Sequence, residues 1–340
     1  MGNSCLDRRV QNPKDEDEEE EEEEDCAVMA VRTSLCRRGH IGHACRKGRQ
    51  PVGMKRNQDC ICVEPLPGRC TMYGVFDGHG ENGHCVSNYV KKSFTRSFRR
   101  RRGGDADLAG MLSDGFRRVQ ADLRNSPHLG SRWSGTTATV VIHDHRSDCL
   151  IVSHVGDSMA VLVKKKAASS STDQGGVVAV PLTRDHDPAL PDERRRLEAA
   201  GAVVKQEHGF CRVYQKEGRR PGLNLSRSLG DVVAHGKCGV TAEPEVSTHQ
   251  LCPDDQILLV CSDGIWSVMR PQEAADFIST FDHDDLVRAA RELVDIAMAR
   301  WLESTDGSKA DDISVALAYL PGDCRACALV SSSDSDSSSG

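Results

Sequence analysis

Residues 71–80 read TMYGVFDGHG, a short apolar run from Met72 to Phe76 that ends abruptly in Asp77-Gly78-His79-Gly80. The run predicts a buried strand, and it leads straight into a carboxylate, an imidazole and two glycines. A single Asp at a strand end is ordinarily a turn former. Here the arrangement recurs. Ile257–Cys261 runs into Ser262-Asp263-Gly264, Val152–Val155 into Gly156-Asp157, and Leu225–Leu229 into Gly230-Asp231. Asp311-Asp312 stand just before the run Ile313–Tyr319, and Asp59 stands before Cys60–Val63.

If these carboxylates converge, they need a counter-charge. Two unit charges at 4 Å repel by about 4 kcal/mol at an effective dielectric near 20. Several such pairs are tolerable only if protons or cations sit among them. A set of oxygen ligands without thiolates suits Mg²⁺ or Mn²⁺ rather than zinc. Two such ions activate water and neutralise a phosphoryl oxygen. A neighbouring His can protonate the leaving oxygen. In that reading Asp77 ligates, Gly78 lets its carbonyl approach an ion, and His79 serves as the acid. Taken alone, His79 reads better as a capping or packed histidine.

The rest of the chain frames this site. Strands are expected at Met72–Phe76, Thr137–His143, Leu150–Val155, Ala160–Val163, Val177–Leu182, Ile257–Cys261 and Ile313–Tyr319, from their Val and Ile content. Helices are expected at His84–Arg101, Asp107–Leu123, Asp192–Ala200, Gln272–Ile278 and Asp285–Leu302, from apolar residues at helical spacing. Gly201 is placed as the C-terminal cap of the third. Consecutive strands without intervening helices argue against a doubly wound parallel sheet and favour antiparallel pairing with helices packed outside. The polar stretch KKKAASSSTDQGG (164–176) is a loop between two strands.

The chain has 340 residues and a net charge of −7. Residues 15–25, DEDEEEEEEED, are an unbroken acidic block, and without those eleven charges the remainder is net positive. Residues 1–26 therefore read as an acidic tail that cannot collapse, residues 27–320 as one domain, and residues 321–340 as a Ser/Asp-rich tail. The 15 cysteines have no framework spacing. No window approaches the ~18 apolar residues of a membrane span, and the acidic block is incompatible with a secretory leader. A reduced intracellular protein is expected, in cytoplasm or nucleus. Gly2 is placed for myristoylation and Cys5 for palmitoylation, with Leu6 where the motif carries Ser or Thr. CRRGHIGHAC (Cys36, His40, His43, Cys45) and the CRAC of Cys324–Cys327 match no structural zinc pattern. The run Arg99–Arg102 ends a predicted helix, where cations suit the dipole. With no base-reading or stacking motif visible, nucleic-acid binding is not expected, and the absence of a Walker loop excludes a P-loop NTPase.

Eight motifs together carry a resemblance: NQD (57–59), VFDGHG (75–80), SGTTA (134–138), VGDS (155–158), LTRDHDP (182–188), LNLSRSLGD (223–231), CSDGIW (261–266) and DDISV (311–315). In this order they resemble the protein phosphatase 2C family of metal-dependent serine/threonine phosphatases, over about residues 50–320. The resemblance implies an α+β fold of two stacked antiparallel sheets flanked by helices, an α/β/β/α sandwich. It implies two Mg²⁺ or Mn²⁺ ions, phosphorylated protein substrates and a monomer. By matching motifs, Asp77 bridges the ions, Gly78 supplies a carbonyl, Asp263 and Asp311 complete the ligands, and Asp59 holds a metal-bound water. His79 matches the general acid and Asp157 a ligand of a third ion. Residues 209–222 fall where the family carries its flap.

Three positions depart from the family pattern. The phosphate-gripping Arg expected five residues before Asp59 is Met54, followed by Lys55 and Arg56. The Arg of GDSR is Met159, and the Asp expected four residues after Asp263 is Ser267. The third ion is accordingly expected to be weak or absent, and phosphate grip to fall to Lys55, Arg56 or neither. A catalytically weak binding module on the same fold is the alternative, and the intact Asp77, Asp263 and Asp311 argue against it.

Overall fold

The computed structural model describes residues 41–52, 55–100, 107–166, 176–207 and 209–320. The expected tails, Gly2, Cys5, Cys36, His40, Met54, Arg101, Arg102 and the CRAC pair lie outside them. The described strands are β1 (Ile41–Arg46), β2 (Asp59–Leu66), β3 (Cys70–His79), β4 (Gly135–Thr136), β5 (Ala138–Asp144), β6 (Cys149–Val155), β7 (Met159–Lys165) and β8 (Val177–Pro181). They continue with β9 (Ala202–Glu207), β10 (Phe210–Gln215), β11 (Pro221–Leu223), β12 (Leu229–Gly230), β13 (Glu245–Gln250), β14 (Asp255–Cys261) and β15 (Ile313–Tyr319). The helices are α1 (Gly83–Arg99), α2 (Leu108–Arg124), α3 (Pro191–Ala199), α4 (Val232–Cys238), α5 (Asp263–Trp266), α6 (Pro271–Ile278) and α7 (Leu286–Ser304).

Two antiparallel sheets form the body. One runs β1-β15-β14-β7-β8; the other runs β12-β4-β3-β5-β6-β13, with β2 added beside β3. The strand period of two explains the layering. On β3, Tyr73 and Val75 pack between the sheets against Leu162, Leu258, Val260 and Ala316. Met72 and Phe76 point the other way, into a core with Phe94 of α1 and Phe116 of α2. On β14 and β15 the alternate set, Leu259, Cys261, Val315 and Leu317, packs under α6 and α7. The result is the α/β/β/α sandwich. TMYGVF lacks polar alternation because β3 is covered on both faces, by the other sheet and by helices.

The central strands are Val/Ile-rich and lie where their composition put them. The expectation missed β1 (IGHACR), the polar edge strand β13 (EVSTHQ) and the short β9, β10 and β11. Among the described residues β13 pairs with β6 alone, at the end of its sheet. The stretch 225–229, read as an apolar strand, is ordered as strand only at Leu229–Gly230. β9–β11 form a separate small sheet that packs with α3 and α4 around Leu197, Val204 and Val213.

Candidate active site

The same period that builds the core builds the site. Tyr73, Val75 and Asp77 share one face of β3, so the row that fills the space between the sheets ends in a carboxylate where the sandwich opens. Asp59 is the register partner of Asp77 on β2 and continues the row of Ile61 and Val63. Opposite them, β14 ends at Cys261 and α5 begins at Asp263, while Asp311 and Asp312 lead into β15. Asp157 sits in the turn between β6 and β7.

Asp77, Asp157 and Asp263 each offer an oxygen within 4.8 Å of the others. Asp311 lies close enough to act electrostatically on Asp77 and Asp263. Burial first, and then the charges of Asp59, Asp263, Asp311 and Asp157, push Asp77 far above the ordinary carboxylate range. Burial and then Asp263 and Asp185 do the same to Asp157. Burial and then Asp311 raise Asp263 to about 6. Asp59 is buried; its Oδ2 accepts from the Ser262 hydroxyl at 2.8 Å, and its Oδ1 has no hydrogen-bond partner among the described residues. This cluster of mutually raised carboxylates, with a buried oxygen left over, fits divalent cations held by oxygen.

The backbone around Asp77 is fixed from several sides. Its amide donates to the Thr137 hydroxyl at 3.0 Å, and its carbonyl accepts from the Thr137 amide at 2.8 Å and the Thr136 hydroxyl at 3.0 Å. Gly78 donates to the Gln58 carbonyl. A Cβ at Gly78 would stand 2.5 Å from the Gly83 carbonyl oxygen and 2.7 Å from that of Gln58. Close backbone packing between β3, the start of α1 and the segment before β2 therefore already demands this glycine.

Lys55 and Arg56 diverge. Lys55 Nζ donates to Asp311 Oδ1 at 2.8 Å and lies 3.3 Å from Asp312 Oδ1. Arg56 turns to His84 Nε2 at 3.1 Å. The backbone engages Asp312: its oxygens accept from the amides of Gly48 and Gln58, tying the β1–β2 connection to β15.

His79 Nε2 lies 2.7 Å from Asp231 Oδ2, which also accepts from the Ser228 hydroxyl at 2.6 Å. Burial pulls His79 down, but the charge and hydrogen bond of Asp231 outweigh it, and its pKa ends above the usual value. Burial pushes Asp231 up, while His79, Ser228 and His235 pull it down further, and the net is downward. Each favours the charged form of the other: the carboxylate raises the imidazole and the imidazole lowers the carboxylate. A Cβ at Gly135 would lie 2.2 Å from Asp231 Oδ2, so only glycine leaves room for this pair. Sequence reading marked Asp231 as one more strand-end carboxylate and missed its partner, since the two are far apart in the chain.

At the expected third-metal position, Ser267 is exposed and closes α5 through its amide to the Asp263 carbonyl. The carboxylate that acts on Asp157 from outside the core cluster is Asp185, within LTRDHDP. Nearby, His154, His186 and Glu245 also converge. His186 Nε2 is buried without a hydrogen-bond partner among the described residues, 3.6 Å from Glu245 Oε1. His186 Nδ1 accepts from the Gly156 amide, which puts the His186 proton on Nε2. His154 Nε2 must donate to the Arg184 carbonyl. Glu245 takes Arg184 and Arg227. The stacked histidines thus join the Asp157 turn to the segment carrying Asp185. The flap expected at 209–222 contains β10 and β11, and Arg220 lies over the Trp133 ring, next to Ser134-Gly135.

Comparison with known proteins identifies the family. The family model described as Protein phosphatase 2C matches residues 57–306. The "Probable protein phosphatase 2C 48" of Oryza sativa subsp. japonica is 33% identical over 286 residues, covering 76% of this chain and 78% of its own. The "Probable protein phosphatase 2C 73" of Arabidopsis thaliana is 31% identical over 296 residues, covering 78% and 75%. Among solved structures, a serine-threonine phosphatase 2C from Toxoplasma gondii superimposes with a TM-score of 0.67 at 18% identity, covering 86% of this chain and 98% of that one. The resemblance read from eight motifs is thus a family relationship: this chain belongs to the protein phosphatase 2C family.

Proposed function

We propose that this protein hydrolyses phosphoserine and phosphothreonine in proteins, with two Mg²⁺ or Mn²⁺ ions held at the mouth of the sandwich. The observation that carries the reading is the convergence of Asp77, Asp157 and Asp263 within 4.8 Å, next to a His79–Asp231 pair. Asp77, Asp263, Asp311 and the Gly78 carbonyl are the proposed protein ligands of the pair of ions, with Asp59 flanking them. When bound, such ions lower the pKa of water and neutralise charge on the phosphoryl oxygens. Asp231 holds His79 through Nε2, and a proton on the other ring nitrogen, Nδ1, is the one proposed to pass to the leaving serine or threonine oxygen. Asp231 fixes the ring and compensates its charge. Lys55, an ammonium within reach of Asp311, is the proposed substitute for the family's phosphate-gripping Arg. A third ion would depend on Asp157 with Asp185, not on Ser267, and is proposed to be weak.

The alternative, a binding module without turnover, finds no support in a site that keeps several mutually repelling carboxylates together. The test is a phosphopeptide assay across Mn²⁺ and Mg²⁺ concentrations, paired with calorimetry. Turnover should require metal, and Asp77→Asn should lose both turnover and tight metal binding. Metal-dependent turnover that survives in Asp77→Asn would overturn the assignment.

A further inference from the structure

A second concave surface lies away from the carboxylates. It is a groove of about 620 Å³ between α1 and the edge strand β2, with His43 of β1 in its wall. Its charge is one-sided. Lys91, Lys92, Arg96 and Arg100 line it, and among the described residues none of them has a carboxylate partner. The groove's one anion, Glu64, is taken by Arg99 through both oxygens at 2.7 Å. His43 adds no charge, because burial and then Lys91 lower its pKa. Lys92, Arg96 and Arg100 succeed each other at helical i, i+4 spacing, where like charges destabilise a helix. The favourable end of the helix dipole covers only the last turn, and Lys91 and Lys92 lie before it.

The same chain carries the matching anion. Residues 15–25 are eleven consecutive carboxylates. They connect through residues 26–40 to Ile41, the first described residue, two positions before His43 in the groove wall. Fifteen residues can span up to about 50 Å, and α1 of 17 residues is about 25 Å long. The tether therefore begins at the groove and is long enough to lay the block along all of it. Like-charge blocks of this length commonly act as interaction segments.

We infer that the acidic block of residues 15–25 docks in cis on the basic groove formed by Lys91, Lys92, Arg96 and Arg100. The docked block covers the groove against other acidic segments, and a competing polyanion or high salt releases it. The inference does not depend on the catalytic reading, and its readouts are binding and proximity.

The experiment is zero-length carbodiimide cross-linking of the full-length chain, mapped by mass spectrometry. Cross-links should join residues 15–25 to Lys91 or Lys92, persist on tenfold dilution and disappear in 0.5 M NaCl. In parallel, a labelled peptide DEDEEEEEEED is titrated by fluorescence anisotropy. It should bind at least tenfold more tightly to a full-length variant carrying Asn and Gln throughout residues 15–25 than to the native chain. Adding Lys92→Gln, Arg96→Gln and Arg100→Gln to that variant should remove the binding. Cross-links spread evenly over lysines away from the groove, or equal peptide affinity in the two chains, would overturn the inference. Cross-links lost on dilution would assign the contact to a second copy and overturn docking in cis.

Discussion

Replacing Asp263 by Asn should make the metal-free protein more stable while it disables the site. Asp263 is held at about 6 against an ordinary 3.8, and a tenfold change in proton affinity corresponds to about 1.4 kcal/mol. Its ionised form in the fold therefore costs about 3 kcal/mol. Linkage gives the sign: a carboxylate whose folded pKa is raised binds its proton more tightly in the native state. The cost is absent below the unfolded pKa near 4, grows as pH rises and is complete above about 6. In chelator at pH 8, Asp263→Asn should thus gain up to about 3 kcal/mol over the native chain, and at pH 4 the gain should vanish. Mn²⁺ should reverse the order. A ligand at a hundred times its dissociation constant stabilises by about 2.7 kcal/mol, and Asp263→Asn forfeits much of that. Urea denaturation with and without Mn²⁺, from pH 4 to pH 8, measures each term. A variant that is no more stable than the native chain in chelator at pH 8 would refute the account of the site as a set of carboxylates held together at a cost.

The other predictions concern single contacts. His79→Ala should reduce turnover of phosphoserine peptides by about 10² to 10⁴ and of an aryl phosphate much less, because phenolate leaves without a proton; equal losses would make His79 structural. Gly135→Ala should reproduce the His79→Ala profile with circular dichroism unchanged, since its methyl would displace the Asp231–His79 pair; undiminished activity would show that the pair is dispensable. Lys55→Gln should tighten Mn²⁺ binding severalfold by calorimetry, because the ammonium holds an Asp311 oxygen; unchanged or weaker binding would mean that it does not compete. Ser267→Asp should add a second, weaker phase to Mn²⁺ titrations, and a native chain that already binds three ions with similar affinity would contradict the proposed weak third site.

How much of the fold was legible in the sequence depends on where each residue's constraint lies. The central strands could be read because both their faces are covered, which forces a Val/Ile composition into a short run. The small strands β9–β11 and the edge strand β13 could not, because their residues answer to one packed face and tolerate Ser, His, Gln and Lys on the other. The carboxylates could be located individually, as residues at the ends of apolar runs. Their convergence could not be derived from spacing, since β3, the β6–β7 turn, α5 and the segment before β15 meet only through sheet topology. Asp231 shows the limit clearly. Its motif marks it, but its partner is set by β12 pairing with β4 and β4 with β3, which brings Gly230 and His79 onto the same two-residue strand Gly135–Thr136.

The same pairing explains why the acid and the carboxylate cluster can differ so sharply in proton affinity at such short range. Along β3, side chains alternate, so Asp77 and His79 share a face while the strand carries them successive steps out of the sandwich. Asp77 stops at the mouth of the sandwich with like charges as neighbours, and burial and then those charges raise its pKa. His79 stands one step further out, beside the single carboxylate that β4 and β12 bring to it, and its proton is held tightly because that carboxylate is ionised. Both groups have raised pKa values, for opposite electrostatic reasons. Asp77 and Asp263 would hold a dication, which would lower their own proton affinity, whereas the Asp231 charge would still favour a proton on His79. Two residues on one strand can therefore separate the duties of holding metal and holding a proton, provided Gly135 keeps the space in which His79 and Asp231 meet.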